Sequence, residues 1–451
     1  MALASSQFVS YRKVLYLAIP IILANLTQPL MSAVDTAVAG HLPGAHHLAG
    51  VALGSLFFNL LFWVFGFLRM GTTGVVAQYF GAGKAESIVL TVGRGVLIAT
   101  AIGLLILLLQ RPLVNGGLAL LGASSEAAEQ ARLYAYGRIW SAPFTLTNYV
   151  ILGWLLGCQR VRVALAIQIL INIVNLAAVL AFVYGLDWGV SGIGRATALA
   201  DLSGMTVGAV LLWRTYRVQL SAIRWAEVIE PAVLRRLIQI NGHIFVRTAC
   251  LLATFAWFTH LGAKQGDALL AANAILLNFL SFTSYGLDGF AHAAETLSGA
   301  AVGQRNANRL ARVIRVCMVW GLIGSLLYML VYSLAGVNLI GLLTDQQDIG
   351  ELARRYLVWA VLAPLVSMPA YLYDGVFIGA TRTRPLMLIM LGCSAAFLAL
   401  SLTLLPLLGN HGLWLSFLIF NGLRGAGLAL ALRPTIYRPL LTPRQPTPPW
   451  Y

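Results

Sequence analysis

Apolar runs of twenty residues or more, separated by short polar breaks, fill this chain almost end to end. A membrane-crossing helix needs about 20 predominantly apolar residues. The pattern predicts twelve such spans, near 14–40, 46–80, 88–110, 128–157, 163–185, 189–213, 236–262, 267–303, 316–342, 349–380, 385–407 and 411–432. Several are longer than a bilayer requires and are expected to tilt or to project beyond it. The break at 344–351 reads as a helix start, with Thr344 followed three residues on by Gln347, and Asp348 by Glu351. The long polar connection at 214–235 lies midway. It divides the chain into a six-span bundle at 1–213, a cytoplasmic linker at 214–235, a second six-span bundle at 236–440 and a tail at 441–451.

Short motifs recur across that divide. Gly157-Cys-Gln-Arg-Val-Arg162 returns as Gly379-Ala-Thr-Arg-Thr-Arg384, an offset of 222, and Ala142-Pro143 returns as Ala363-Pro364 at 221. Weaker echoes link Gly81-Ala-Gly-Lys84 to Ala301-Val-Gly-Gln304 at 220, and His41-Leu42 to His260-Leu261 at 219. Six spans repeated in parallel are a common transporter plan.

Composition agrees with the pattern and removes other classes. The 451 residues are 59% hydrophobic and 10% charged, against about 25% charged in a globular domain. The first apolar run is too long for a signal-peptide core and lacks a cleavage pattern, so no leader is expected. A net charge of +15 would suggest nucleic acid in a soluble chain. Here 20 of the 30 Lys and Arg fall on one set of loops and span ends, against five on the other. By the positive-inside rule this places both termini in the cytoplasm and removes the need for a nucleic-acid partner. The cysteines, Cys158, Cys250, Cys317 and Cys393, lack metal-ligand spacing and read as small apolar fillers. With no P-loop, zinc motif or nucleophile elbow, an enzyme or an ATP-driven pump is not expected, nor a cofactor. Energy would come from an ion gradient.

Five acids sit well inside spans: Asp35, Asp201, Asp288, Glu295 and Asp374. A charge at the centre of a membrane helix costs roughly 2.5–3.5 kcal/mol on insertion scales, so it survives mainly where it has a task. Asp35 lies deepest, on a helix that carries Pro20 and Pro29. Each proline frees a carbonyl one turn back, at Tyr16 and Asn25, and is expected to bend the helix and expose backbone oxygens. Gln28, two turns before Asp35, extends a polar stripe. Asn172 and Asn175, then Thr197 and Asp201, could complete a site, although asparagine between membrane helices also serves as glue. Asp288 and Glu295 share a span with His292 and could simply pair with Arg247 or Arg424. Asp374, in Tyr373-Asp374-Gly375, could cap backbone or form a second-bundle site.

Together, Ala18-Ile-Pro20 and Val34-Asp35-Thr-Ala-Val-Ala-Gly-His41-Leu42 resemble the first helix of the multidrug and toxic compound extrusion (MATE) transporters. Leu68-Arg-Met-Gly-Thr-Thr-Gly74, Ala77-Gln78, Phe80-Gly81, Leu287-Asp-Gly-Phe290 and Asp374-Gly-Val-Phe-Ile-Gly-Ala-Thr-Arg382 resemble its DinF-type branch. The resemblance implies an all-α integral membrane protein of two six-helix bundles in a V, working as a monomer in the cytoplasmic membrane. It implies export of cationic or amphipathic organic compounds in exchange for protons or sodium, with Asp35 as the coupling acid and Gln28, Asn175 and Thr197 as its polar partners. One departure stands out: Val179 occupies the place where many relatives carry a second acid. Sodium wants several oxygen ligands, so a lone buried carboxylate favours protons, and Asp201 is a candidate substitute for the missing acid. A lipid-linked precursor flippase would share the plan but would line its cavity with cations, for which Arg69, Arg138, Arg195 and Arg247 are candidates. A membrane-embedded enzyme is the reading from another class, and lacks a catalytic cluster.

Overall fold

In a computed structural model the chain is helical throughout its described parts. The structure describes residues 10–42, 44–122 and 125–442, and the side chains among them except those of 27–33 and 45. Eleven helical stretches are long and apolar enough to cross a membrane, from His46–Gly81 to Asn410–Leu441. They coincide with eleven of the twelve expected spans, and Tyr11–Gly40 (α1) is helical over the remaining one. It runs unbroken through positions 20 and 29.

The chain divides into two compact units, Leu23–Asn241 on one side and Met1–Ile22 with Gly242–Tyr451 on the other. The boundary therefore cuts α1 between Ile22 and Leu23, instead of falling wholly within 214–235. The first unit contains α2 (Ala45–Val64), α3 (Phe67–Gly81), α4 (Ala85–Leu108), α5 (Gln110–Leu120), α6 (Ser125–Arg138), α7 (Ala142–Gly157), α8 (Val161–Leu180) and α9 (Gly189–Ala222). The second contains most of α11 (Pro231–Ala263), then α12 (Asp267–Gly303), α13 (Ala307–Leu343), α14 (Gln347–Gly379), α15 (Thr383–Leu408) and α16 (Asn410–Leu432).

The turns reveal the repeat more sharply than the motifs do. Left-handed backbone recurs in pairs 222 residues apart: Gly44 with Gly266, Gly83 with Arg305, Gln159 with Thr381, and Asp187 with Gly409. The turn bonds match as well, Arg160 N to Leu155 O at 2.8 Å and Arg382 N to Phe377 O at 2.9 Å. The echoes at 219 and 220 are thus out of register by two or three residues, because similar apolar sequence aligns by chance while turn geometry does not. Three members of the repeat differ: the first unit is interrupted between α2 and α3, between α4 and α5, and between α6 and α7 (the last by a 3-10 turn, Ile139–Ser141), where α12, α13 and α14 are continuous.

The connection at 214–235 is mostly helix. The α9 helix runs on to Ala222, a short helix, Trp225–Val228 (α10), follows, and α11 begins at Pro231. Pro231 suits a first helical position, where its missing amide costs nothing. Arg94 of α4, only 5% exposed, fixes this segment. Its Nε donates to the carbonyl of Val228 at 3.1 Å and its Nη2 to that of Glu227 at 2.5 Å, with Glu230 at 3.7 Å.

Packing within each unit relies on close backbone approach, as expected where lipid removes the hydrophobic drive for helix association. A Cβ at Gly194 would meet the carbonyl of Tyr134 and the amide of Arg138, which holds α6 against α9. In the second unit, Cβ atoms at Gly375 and Gly379 would strike the carbonyls of Ala291 and Glu295, which sets α12 against α14. That unit is cored by Phe258, Phe397, Trp414, Phe417 and Phe420, with the Phe258 and Trp414 rings edge-on at 5.0 Å. Asn273 and Asn410 exchange two amide bonds of 2.9 Å, and Asn273 also accepts from Trp414 Nε1 at 2.9 Å. The helix start expected from Thr344 is not formed as a capping box. Since α14 begins at Gln347, that residue holds the first helical position and not the third, and Thr344 Oγ1 accepts from the Gln346 amide at 3.2 Å.

Candidate functional site

Asp35 is 2% exposed, and its Oδ2 accepts from the Tyr134 hydroxyl at 3.3 Å. The phenol oxygen in turn accepts from Ser55 Oγ at 3.2 Å and from Arg138 Nη1 at 2.5 Å. Its two lone pairs are thereby filled, so its one proton points at Asp35. Tyr134 and Arg138 are four apart on α6 and share a face, and the Arg138 guanidinium lies over the Phe58 ring at 5.0 Å. The other oxygen of Asp35, Oδ1, is buried without a hydrogen-bond partner among the described residues.

A second polar cluster lies on α7 and α9. Thr145 Oγ1 donates to Asp201 Oδ2 at 2.5 Å, and Asn148 Nδ2 donates to the Asp201 carbonyl at 2.8 Å. Arg138 is electrostatically coupled to both Asp35 and Asp201, yet among the described residues neither acid has an ion pair within 4.0 Å. Asn175 Nδ2 donates to Thr197 Oγ1 at 3.2 Å, so these two are partnered with each other. The structure thus sorts the expected set into three groups: Asp35 with Tyr134 and Arg138, Asp201 with Thr145 and Asn148, and Asn175 with Thr197. Asn172 is half-buried on α8. The side chains of Gln28 and Pro29 lie outside the described residues, and Pro20 sits within the unbroken α1. Ser55, Tyr134, Thr145 and Asn148 were not singled out from the sequence. The one available signal was spacing, Tyr134 with Arg138 and Thr145 with Asn148, each pair on one helical face.

In the second unit, Asp374 Oδ2 accepts from Arg247 Nη2 and, at 2.8 Å, from Arg424 Nη2. Arg424 also donates to Asn421 Oδ1 at 3.0 Å. The sequence suggested Asp288 and Glu295 as partners of these arginines; among the described residues both arginines pair with Asp374 on α14. Glu295 bonds His292 Nδ1 at 3.0 Å, and Asp288 is half-buried on α12. At the 222-residue offset, Asp35, Tyr134 and Asn175 correspond to Trp257, Tyr356 and Phe397. Where the first unit carries its buried acid, the second has aromatic core.

Eleven membrane-crossing stretches among the described residues, with α1 beside them and a turn pattern repeated in tandem, form the plan of a membrane transporter. The sequence model of the MatE family matches residues 20–182 and 243–405, once in each half. DNA damage-inducible protein F of Escherichia coli (strain K12) is 40% identical over 93% of this chain and 91% of its own length. The multidrug resistance protein MdtK of Edwardsiella ictaluri is 26% identical, with 94% of each chain covered. Among solved structures, a MATE in the bent conformation has a TM-score of 0.84 at 19% identity, covering 96% of this chain and 97% of its own. The bent form of the Vibrio cholerae MATE transporter VcmN has 0.82 at 20%, covering 95% and 97%. The chain belongs to the MATE family of multidrug and toxic compound extrusion transporters, in its DinF-type branch, and is no enzyme.

Proposed function

We propose that this protein exports cationic or amphipathic organic compounds in antiport with protons, and that Asp35 is the group for which proton and substrate compete. The observation that carries this reading is an unshared Oδ1 on an acid with no ion pair among the described residues; Asp374 and Glu295 also leave one oxygen unshared, but each bonds a basic side chain. Because the Tyr134 proton is already committed to Oδ2, an arriving proton has Oδ1 as its site. Protonation cancels the charge that draws Tyr134 and Arg138 toward α1, and so frees that helix to repack against α2 and α6. A cation that neutralises the same carboxylate excludes the proton, and this mutual exclusion is what antiport requires.

Sodium is less well served by these residues. Val179 is fully buried where the family resemblance implies a second acid, so the first unit lacks that carboxylate. A hard cation needs several free oxygen ligands. We assign Asp374 a structural role, since it is held by two guanidiniums, and we place one coupling site in the first unit. The flippase reading loses support at three of its four candidate arginines: Arg138 bonds Tyr134, Arg195 stacks on Trp188 at 4.8 Å, and Arg247 pairs with Asp374. We place both termini in the cytoplasm of a monomeric, multi-pass protein of the cytoplasmic membrane, on the charge count of its loops.

The test is efflux of a fluorescent organic cation from proteoliposomes under imposed gradients. Transport driven by a pH gradient and lost in Asp35→Asn supports the reading. Transport driven by sodium alone, or retained in Asp35→Asn under a pH gradient, overturns it.

A further inference from the structure

Arg138 is an expensive residue to hold inside a membrane bundle, and it is not held there by an acid. Its hydrogen bond goes to a neutral phenol, its Cζ lies over Phe58, and its Nε is buried without a hydrogen-bond partner among the described residues. Asp35 and Asp201 both feel its charge while remaining beyond ion-pair distance. The backbone fixes this placement: Gly194 lets α9 press on the Arg138 amide, and a Cβ at Gly137 would meet Ser191 O. An arginine paired directly with Asp35 would occupy the oxygen that a ligand needs. An arginine kept one step away leaves that oxygen open and still cancels one unit of charge.

We propose that Arg138 is an internal counter-charge that restricts the first-unit site to monovalent organic cations. The inference rests on Asp35 being the cation and proton site. Two carboxylates face one guanidinium, so a single negative charge is left over when both acids are ionised. One proton or one monocation satisfies it. A dication leaves a positive charge uncompensated in a medium of low dielectric, where a unit charge several ångströms away changes affinity on the order of tenfold or more. Arg69, coupled to Tyr149 in the same unit, is present in every variant compared, so the comparison isolates Arg138.

The experiment measures equilibrium binding of tetraphenylphosphonium (one charge) and methyl viologen (two charges) to the purified full-length protein. Arg138→Gln raises the dication-to-monocation affinity ratio by about tenfold. Arg138→Gln combined with Asp201→Asn restores the charge balance and returns the ratio toward that of the wild type. A ratio unchanged in Arg138→Gln, or a double variant that does not restore it, overturns the proposal. If Arg138→Gln does not fold, Asp201→Asn alone decides: monocation affinity falls about tenfold, and an unchanged affinity is the overturning result. Proton-driven efflux by Asp35→Asn, measured separately in liposomes, reports on the coupling role. Its persistence refutes the Asp35 reading, whereas loss there with an unmoved valence ratio refutes only the Arg138 reading.

Discussion

Asp374 and Asp35 are both aspartates buried within membrane helices, and the structure gives their amide variants opposite consequences. Asp374 Oδ2 takes one N–H from each of two guanidiniums, and the three side chains are 9% exposed or less. In Asp374→Asn the geometry survives but the negative charge does not, which leaves two arginines buried against a neutral amide. Removing one partner from a buried ionic pair costs about 3–5 kcal/mol. For a folding unit of roughly 200 residues, 1 kcal/mol is worth about 2–4 °C, so the melting temperature should fall by about 10 °C. Asp35→Asn loses no ion pair among the described residues, and its amide oxygen can still accept from Tyr134. Its stability should change by no more than about 1 kcal/mol. The assay is thermal unfolding of each purified variant in detergent, followed by loss of the monodisperse peak, alongside efflux from liposomes. The expected pattern is an unstable Asp374→Asn and a stable but transport-dead Asp35→Asn. An Asp374→Asn protein that melts like the wild type yet loses coupling would refute the clamp and make Asp374 a second ion site.

Three further perturbations test other parts of the account. Gly194→Val places a side chain against the Tyr134 carbonyl and the Arg138 amide, so efflux should fall sharply while insertion into the membrane persists; normal efflux would contradict the packing. Asn273→Ala strands the Trp414 indole and the Asn410 amide, and unfolding measurements should show a loss of about 1–3 kcal/mol. Arg94→Met releases the carbonyls of Glu227 and Val228, and limited proteolysis between Ala222 and Pro231 should accelerate severalfold relative to the wild type.

The architecture was legible because membrane spans write themselves as long apolar runs, and eleven of the expected spans recur directly in the helices of the structure. Asp35 was legible for the complementary reason, an acid in such a run having no solvent to excuse it. Its partners were not. Tyr134 and Ser55 are ordinary residues of membrane helices, and only the close approach of α2, α6 and α9 brings them to the carboxylate. The repeat was only half visible, since motif echoes drifted between 219 and 222 while the left-handed turns hold one offset. The segment at 214–235 read only as a polar connection, with no helix assigned to it. Helices that leave the bilayer are polar too, and burial of Arg94 against its carbonyls depends on a contact more than a hundred residues away in sequence.

The most direct measurement is the number of protons released when an organic cation binds to the purified protein in weakly buffered detergent. At a pH acidic enough for the free protein to hold a proton on Asp35, competition there predicts about one proton released per monocation bound by the wild type, and none by Asp35→Asn. Binding without proton release by the wild type, or release that persists in Asp35→Asn, would contradict it.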